Sequence, residues 1–251
     1  MIVALILGRG GSVGFPGKNT YKVLGRPMME YAILAAQNSK YIDEIYVSTD
    51  SDEIKEIARK NNVNVIDRPD YLCTKEALHE DAMVHGYKFV RDLGKDIEMV
   101  VLLQCNGPFI LSSQIDEGIE ALREKAEYDS AATVSKYNMY SPTRARKIGA
   151  DGTIYNFVPF ETFLDKSKVS CDKDSQGDVY YTDGTFIVRP YCLEHIENGM
   201  LPYKWMGQKS YAIMNWGGLD VDVAWQVPQV EYWLLEHGFT EDSTPYDSKN
   251  E

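Results

Sequence analysis

The sequence predicts an α/β protein: a mostly parallel sheet with helices on both faces and a small inserted subdomain. Three observations carry this. Short apolar runs alternate with helical periodicities through the first half of the chain. Two of those runs, Ile2–Leu7 and Met99–Leu103, are apolar at every position, as strands buried on both faces should be. A glycine-rich loop follows the first run, at the strand end where an open α/β sheet places its ligand site.

Taken in order, Ile2–Leu7 is the first strand. Pro27 opens a helix with Met28, Tyr31, Leu34 and Ala35 at helical spacing. Glu44–Thr49 is the second strand. After it, Asp50 and Glu53 have capping-box spacing, with Asp50 as N-cap, ahead of a face of Ile54, Ile57 and Ala58. Val63–Ile66 is a short third strand. A helix over 77–93 should bury Ala82, Gly86, Phe89 and Leu93, and Met99–Gln104 should be a central strand. Ile115, Ile119 and Leu122 mark the next helix, before a strand near Ala131–Ser135. Repeated β-then-α units of this size imply right-handed crossovers in a parallel sheet.

The second half is less regular. Residues 137–178 hold short apolar pieces among turns and read as an insertion with a strand at Thr153–Val158. Strands resume at Tyr180–Val188 and Tyr211–Met214. A last helix runs from Trp225 to His237, with Pro228 in its first turn and Gly238 as its stop. Residues 240–251 show no hydrophobic anchor and read as a disordered tail.

Composition narrows the function. With 251 residues, 44% hydrophobic and 25% charged, the chain has an ordinary globular balance, and no apolar run is long enough to cross a bilayer. No basic n-region or cleavage site marks a secretory signal, so a cytoplasmic protein is expected. A net charge of −12 argues against nucleic acid as a partner. Anionic substrates would therefore need local cations. Cys73, Cys105, Cys171 and Cys192 lie far apart, which favours free thiols over a zinc site or a disulfide framework.

The loop reads Gly8-Arg9-Gly10-Gly11-Ser12-Val13-Gly14-Phe15-Pro16-Gly17-Lys18-Asn19. Its glycines let main-chain N–H groups approach an anion, and Arg9 and Lys18 supply the cations. A Walker A loop fails at Ser12 and Asn19, and a dinucleotide G-x-G-x-x-G fails at Val13.

What the loop does resemble is the R-G-G-S-x-G-x-P-G-K-N opening of CMP-sialic acid synthetases and their relatives for legionaminic, pseudaminic and other nonulosonic acids. Leu24-Gly25-Arg26-Pro27 continues that pattern, as do Ser48-Thr49-Asp50 and Arg68-Pro69-x-x-Leu72. The resemblance implies a Rossmann-like (GT-A-like) nucleotidyltransferase sheet over residues 1–239, with 137–178 as a dimerisation subdomain. It makes Gly10, Gly11, Ser12, Gly17, Asn19 and Arg68 nucleotide-binding residues, with Asn19 and Arg68 addressing the cytosine ring. Gln104 would contact the sugar, and Asp183-Gly184 stands where relatives carry N-G in the sugar pocket. Cys105-Asn106-Gly107 replaces the family's P-T-S, and Val13 replaces a loop lysine.

Leu219-Asp220-Val221-Asp222-Val223 alternates. If it is a strand, Asp220 and Asp222 share one face, and two adjacent carboxylates call for a bridging cation. The family's D-x-D at this place implies that they hold Mg²⁺ or Mn²⁺. The implied reaction transfers CMP from CTP to the anomeric hydroxyl of an acidic sugar, with Lys18, Arg9, Asp220 and Asp222 as its catalytic group. Arg144 and Arg146, in the insertion, are assigned to the sugar carboxylate, equally consistent with a solvated basic face, and the assembly is expected to be a homodimer. No catalytic spacing involves His79, His85, His195 or His237, which are expected to be structural or at the surface. The rival readings are a nucleotidyltransferase for 3-deoxy-manno-octulosonate or a sugar 1-phosphate, and a nucleotide-binding relative without activity.

Overall fold

Six consecutive apolar residues make β1 (Ile2–Leu7), and every one is buried. The computed structural model describes residues 1–163, 165, 167 and 170–247. After β1 come β2 (Lys22–Val23), β3 (Arg26–Pro27) and α1 (Met28–Gln37), then β4 (Glu44–Thr49), α2 (Asp52–Lys60) and β5 (Asn64–Asp67). The chain continues through α3 (His79–Asp92), β6 (Met99–Gln104), α4 (Ser112–Glu124) and β7 (Ser130–Lys136). Next are β8 (Arg146–Ile148), β9 (Ile154–Asn156), α5 (Phe160–Phe163), β10 (Tyr180–Val188), α6 (Pro190–Glu194), β11 (Ser210–Asn215) and α7 (Val227–Glu236).

The central sheet has seven strands in the order β11-β7-β10-β6-β1-β4-β5. β1 pairs parallel with β4 and β6, β4 with β5, and β7 with β11. β10 runs antiparallel to both β6 and β7. The sheet is thus mixed and mostly parallel. Side chains alternate across β1: Ile2, Ala4 and Ile6 pack under α1, α2 and α4, while Val3, Leu5 and Leu7 pack under α3 and α6. Helices therefore cover both faces.

A third apolar cluster sits at one end of the sheet. It joins Met28 and Tyr31 of α1, Trp233 and Leu234 of α7, Phe109, Phe239, Tyr246 and, at 0% exposure, Val221. Residues 240–247 are docked here. Tyr246 is buried against Phe239, and its hydroxyl accepts a hydrogen bond from the Ser112 N–H. The reading of 240–251 as a tail without an anchor is corrected: one aromatic residue suffices to seat it. Residues 248–251 lie outside the described residues.

Two further local expectations change. Ser51, not Asp50, caps α2, accepting from Ile54 N. In α3 the buried face is Ala82, Met83, Gly86, Tyr87 and Val90, whereas Phe89 and Leu93 are exposed. Gly86 sets that face, since a Cβ there would come within 2.6 Å of Leu5 on β1. Between β7 and β10 the chain leaves the sheet. β8 and β9 pair only with each other, as an antiparallel hairpin with all six residues exposed.

Candidate active site

A cavity of about 500 Å³ opens beyond the carboxyl ends of β1 and β6. The loop after β1 forms one wall, with Arg9, Ser12 and Lys18 facing it. Gln104 and Asn106 at the end of β6, Arg68 after β5, and Asp220 and Asp222 line it as well. This is the crevice that the parallel portion of the sheet creates.

Lys18 reaches across the cavity, and its ammonium nitrogen is 2.7 Å from Asp222 Oδ1. Arg9 donates to the carbonyl oxygens of Cys73 and Thr74, which draws the 73–74 turn onto the loop. Arg68 is buried; it donates to the Ser48 carbonyl oxygen (2.6 Å) and to Ser48 Oγ (3.2 Å). Asn19 is also buried. Its Nδ2 donates to the Arg9 carbonyl oxygen, while its Oδ1 finds no partner among the described residues. A buried acceptor left open in a cavity wall suits a ligand donor.

The other loop glycines play structural parts. Gly11 (φ 70°) and Gly17 (φ 73°) turn the chain and do not line the cavity. The Gly10 N–H donates to Asp50 Oδ1 at 2.8 Å, which ties the loop to the end of β4. Gly8, Ser12, Val13, Gly14 and Asn19 are the loop residues that border the cavity beside Arg9 and Lys18.

Asp220 and Asp222 do face one cavity, but not from a strand. Residues 219–223 belong to no sheet. The alternation arises because Val221, between them, is sunk in the third apolar cluster and forces its neighbours outward. Burial pushes the Asp220 carboxyl up to about 6, with Asp222 adding repulsion and Lys18 opposing it. Asp220 Oδ1 is buried without a partner among the described residues. An unpartnered buried oxygen beside a second carboxylate fits a hard divalent cation. Among the described residues no group of three or more His, Cys, Asp or Glu converges. The protein therefore offers two carboxylates, and phosphate and water would complete the shell.

Asp183 and Gly184 sit behind the cavity instead of lining it. The Asp183 carboxylate is buried and accepts from Ser135 Oγ and Asn215 Nδ2, and burial raises its pKa. Gly184 (φ 94°) lies in the irregular stretch of β10; a Cβ there would come within 2.5 Å of Asp220 Oδ1. Both residues thus back Asp220. Arg144 and Arg146 do not reach the cavity of their own chain. They line a separate depression with Phe160 and Cys171, donating to the carbonyl oxygens of Cys171, Thr143 and Ala145.

Four residues take parts that the sequence reading did not give them. His79, exposed at the surface as expected, also borders the cavity, where desolvation together with Arg68 lowers its imidazole pKa to about 4, hence neutral. Asp50 anchors Gly10. Asn106 bonds the Val221 peptide, and Gln226 bonds the N–H groups of Asp222 and Val223. Only Asp50 carried a signal, its position at the end of an S-T-D strand terminus.

Comparison with known proteins identifies the family. A cytidylyltransferase family model matches residues 3–196. An N-acylneuraminate cytidylyltransferase of Oncorhynchus mykiss is 26% identical over 238 residues, covering 95% of this chain and 51% of that protein. A CMP-N,N'-diacetyllegionaminic acid synthase of Legionella pneumophila is 29% identical over 192 residues, covering 74% of this chain and 77% of that one. The chain spans about half the length of the trout relative. Among solved structures, a CMP:2-keto-3-deoxy-manno-octonic acid synthetase complexed with CTP superposes with a TM-score of 0.65 at 14% identity, over 94% of this chain and 98% of that one. The 4-diphosphocytidyl-2C-methyl-D-erythritol synthase of Anaerococcus prevotii gives a TM-score of 0.59 at 18% identity, over 93% and 96%. These two likenesses concern the fold. No helix among the described residues is long and apolar enough to cross a membrane. The matched stretch covers most of the sequence and includes the glycine-rich loop, so the chain belongs to the cytidylyltransferase family, and it resembles the members of that family that serve nonulosonic acids.

Proposed function

We propose that the protein transfers CMP from CTP to the anomeric hydroxyl of an acidic nonulosonic sugar of the sialic, legionaminic or pseudaminic type, with release of pyrophosphate. The observation that carries this is the meeting of Lys18 with Asp220 and Asp222 across one cavity, opposite the open Asn19 acceptor. Cations, paired carboxylates and a polar base-sized wall are the parts that a nucleoside triphosphate and its metal require.

In this reading Lys18, Arg9 and the N–H groups around Ser12 hold the triphosphate. Asn19 Oδ1 accepts from the cytosine amino group, and Arg68 donates to the ring carbonyl, which distinguishes cytosine from bases with the opposite donor pattern. Gln104 orients the sugar so that its hydroxyl oxygen attacks the α-phosphorus in line. As that bond forms, the hydroxyl proton passes to solvent, the bond from the α-phosphorus to the bridging oxygen breaks, and pyrophosphate departs. Asp220 and Asp222 would hold Mg²⁺ or Mn²⁺, which supplies charge neutralisation at the phosphates and lowers the pKa of the attacking hydroxyl. Neutral His79 borders the cavity as a hydrogen-bonding group, not a cation. Little covalent chemistry falls to the protein, so positioning and charge carry the rate.

The exposed hairpin of β8 and β9 carries Ile148 and Ile154 at 77% and 67% exposure. Such apolar exposure supports a homodimer in which this subdomain packs against a second copy and brings Arg144 and Arg146 toward the partner's sugar carboxylate. The enzyme would work in the cytoplasm, where CTP is available, and feed cell-surface polysaccharide synthesis.

The test is a substrate panel. CTP and the other nucleoside triphosphates are offered with N-acetylneuraminic, legionaminic, pseudaminic and 3-deoxy-octulosonic acids and with sugar 1-phosphates in Mg²⁺, and pyrophosphate is measured. Release with CTP and a nonulosonic acid is expected. Release only with octulosonate or a sugar 1-phosphate, or with no sugar at all, would overturn the reading.

A further inference from the structure

Asp220 and Asp222 belong to a segment that no sheet holds, yet both side chains must keep one aim. The bonds that hold its backbone come from few residues. At the near end, the Gly218 N–H donates to Ser135 Oγ and its carbonyl oxygen accepts from the Tyr137 hydroxyl. At the centre, the Val221 N–H donates to the Asn106 carbonyl oxygen (2.9 Å) while Asn106 Nδ2 donates to the Val221 carbonyl oxygen (3.1 Å). At the far end, Gln226 Oε1 accepts from both the Asp222 N–H (2.7 Å) and the Val223 N–H (3.0 Å).

The central and far contacts bracket the two carboxylates. Asn106 grips Val221, the residue between them, by both its N–H and its carbonyl oxygen, and Asn106 is 9% exposed, so water is a poor substitute for the lost bond. Gln226 fixes the amide of Asp222 itself, just where α7 is about to begin. Val221 provides depth in the core; the two amides provide rotation about the segment.

We propose that Asn106 and Gln226 are positioning residues, a two-point amide clamp that sets the aim of Asp220 and Asp222 for their divalent cation. The inference rests on the metal role assigned above. It also gives a job to the Asn106 of Cys105-Asn106-Gly107, a stretch whose sequence pointed to the sugar side: its side chain serves the carboxylate segment.

The experiment measures Mn²⁺ binding to the purified full chain by electron paramagnetic resonance of the free ion, without substrate. Alongside it, the Mg²⁺ concentration for half-maximal rate is compared with the KM for CTP. Asn106→Ala, which loses one hydrogen bond, and Gln226→Ala, which loses two, should each weaken Mn²⁺ binding about fivefold to tenfold. Asn106→Asp should fail likewise, because it sets an acceptor against the Val221 carbonyl oxygen. Gln226→Glu keeps the acceptor and should bind Mn²⁺ at least as well as wild type. The KM for CTP should move less than twofold in Gln226→Ala.

A merely structural role would lower the melting temperature and leave the Mn²⁺ affinity of the folded protein unchanged; that result overturns the clamp. Equal loss in Gln226→Ala and Gln226→Glu also overturns it. If Asn106→Ala does not fold, the Gln226 pair decides. A wild type that binds Mn²⁺ but releases no pyrophosphate with any sugar refutes the proposed reaction and leaves the clamp to be judged by affinities. A wild type that binds no Mn²⁺ removes the clamp's purpose and overturns it.

Discussion

Lys18 Nζ and Asp222 Oδ1 are 2.7 Å apart, although 204 residues separate them in the chain. One ion pair therefore joins the glycine-rich loop to the carboxylate segment. Lys18 is 13% exposed and Asp222 72%. The pair links the two halves of the site more than it holds the protein together.

Asp222→Ala should consequently leave the fold intact, with a stability change below about 1 kcal/mol, as for other exposed ion pairs. Turnover should fall by at least about 10²-fold, the usual cost of losing a charge-stabilising group. Thermal melts and pyrophosphate release measure the two effects. Near wild-type turnover in Mg²⁺ would remove Asp222 from the metal site.

Asp220→Asn should make the protein more stable and inactive. The carboxyl stands at about 6 in the folded chain against an ordinary 3.8, chiefly through burial. A raised value means that the native state keeps its proton where the unfolded chain has released it. Stability is thus complete below about pH 4, declines as pH rises to about 6, and then stays level. Asparagine removes that loss, which is about 3 kcal/mol at pH 8. Denaturant titrations at pH 5 and pH 8 should show a drop in wild type that is absent in the variant.

Gly14→Ala should damage catalysis without unfolding. Gly14 is exposed, but an added Cβ would lie 2.8 Å from the Asp222 carbonyl oxygen. Loop and carboxylate segment must then move apart, and kcat/KM should fall about tenfold or more. The melting temperature should stay within a degree or two of wild type, and steady-state kinetics against CTP reads the loss.

Tyr246→Ala should destabilise by about 3 kcal/mol, in the range for emptying a buried aromatic site. Tyr246 is 6% exposed among Phe239, Tyr31 and Trp233. Urea denaturation would detect the change; a shift below about 0.5 kcal/mol would show that residues 240–247 are not seated there.

Much of the fold was legible because its signals are local. The uniform apolar runs of β1 and β6, the glycines after β1 and the helical periodicities each depend on neighbours within a few residues. Where the sequence reading failed, a distant partner decided. Phe89 and Leu93 have the right spacing for a buried face, yet Gly86 meets Leu5 and turns that face toward Met83 and Tyr87. Tyr246 looked like part of a polar tail because Ser112 and the Tyr31 of the cluster that receives it lie elsewhere in the chain.

By itself the sequence determined the class of sheet, the glycine-rich loop with its cations Arg9 and Lys18, and the pairing of Asp220 with Asp222. These follow from residue type and short spacing, which act through backbone geometry and charge. Tertiary structure alone decided that Val221, not a strand, points Asp220 and Asp222 into the cavity, that Asp183 and Gly184 support from behind, and that Arg144 and Arg146 stay away. The physical reason is that burial and unpartnered hydrogen-bonding groups are properties of packed surfaces, and packing brings together residues whose order in the chain says nothing of their distance.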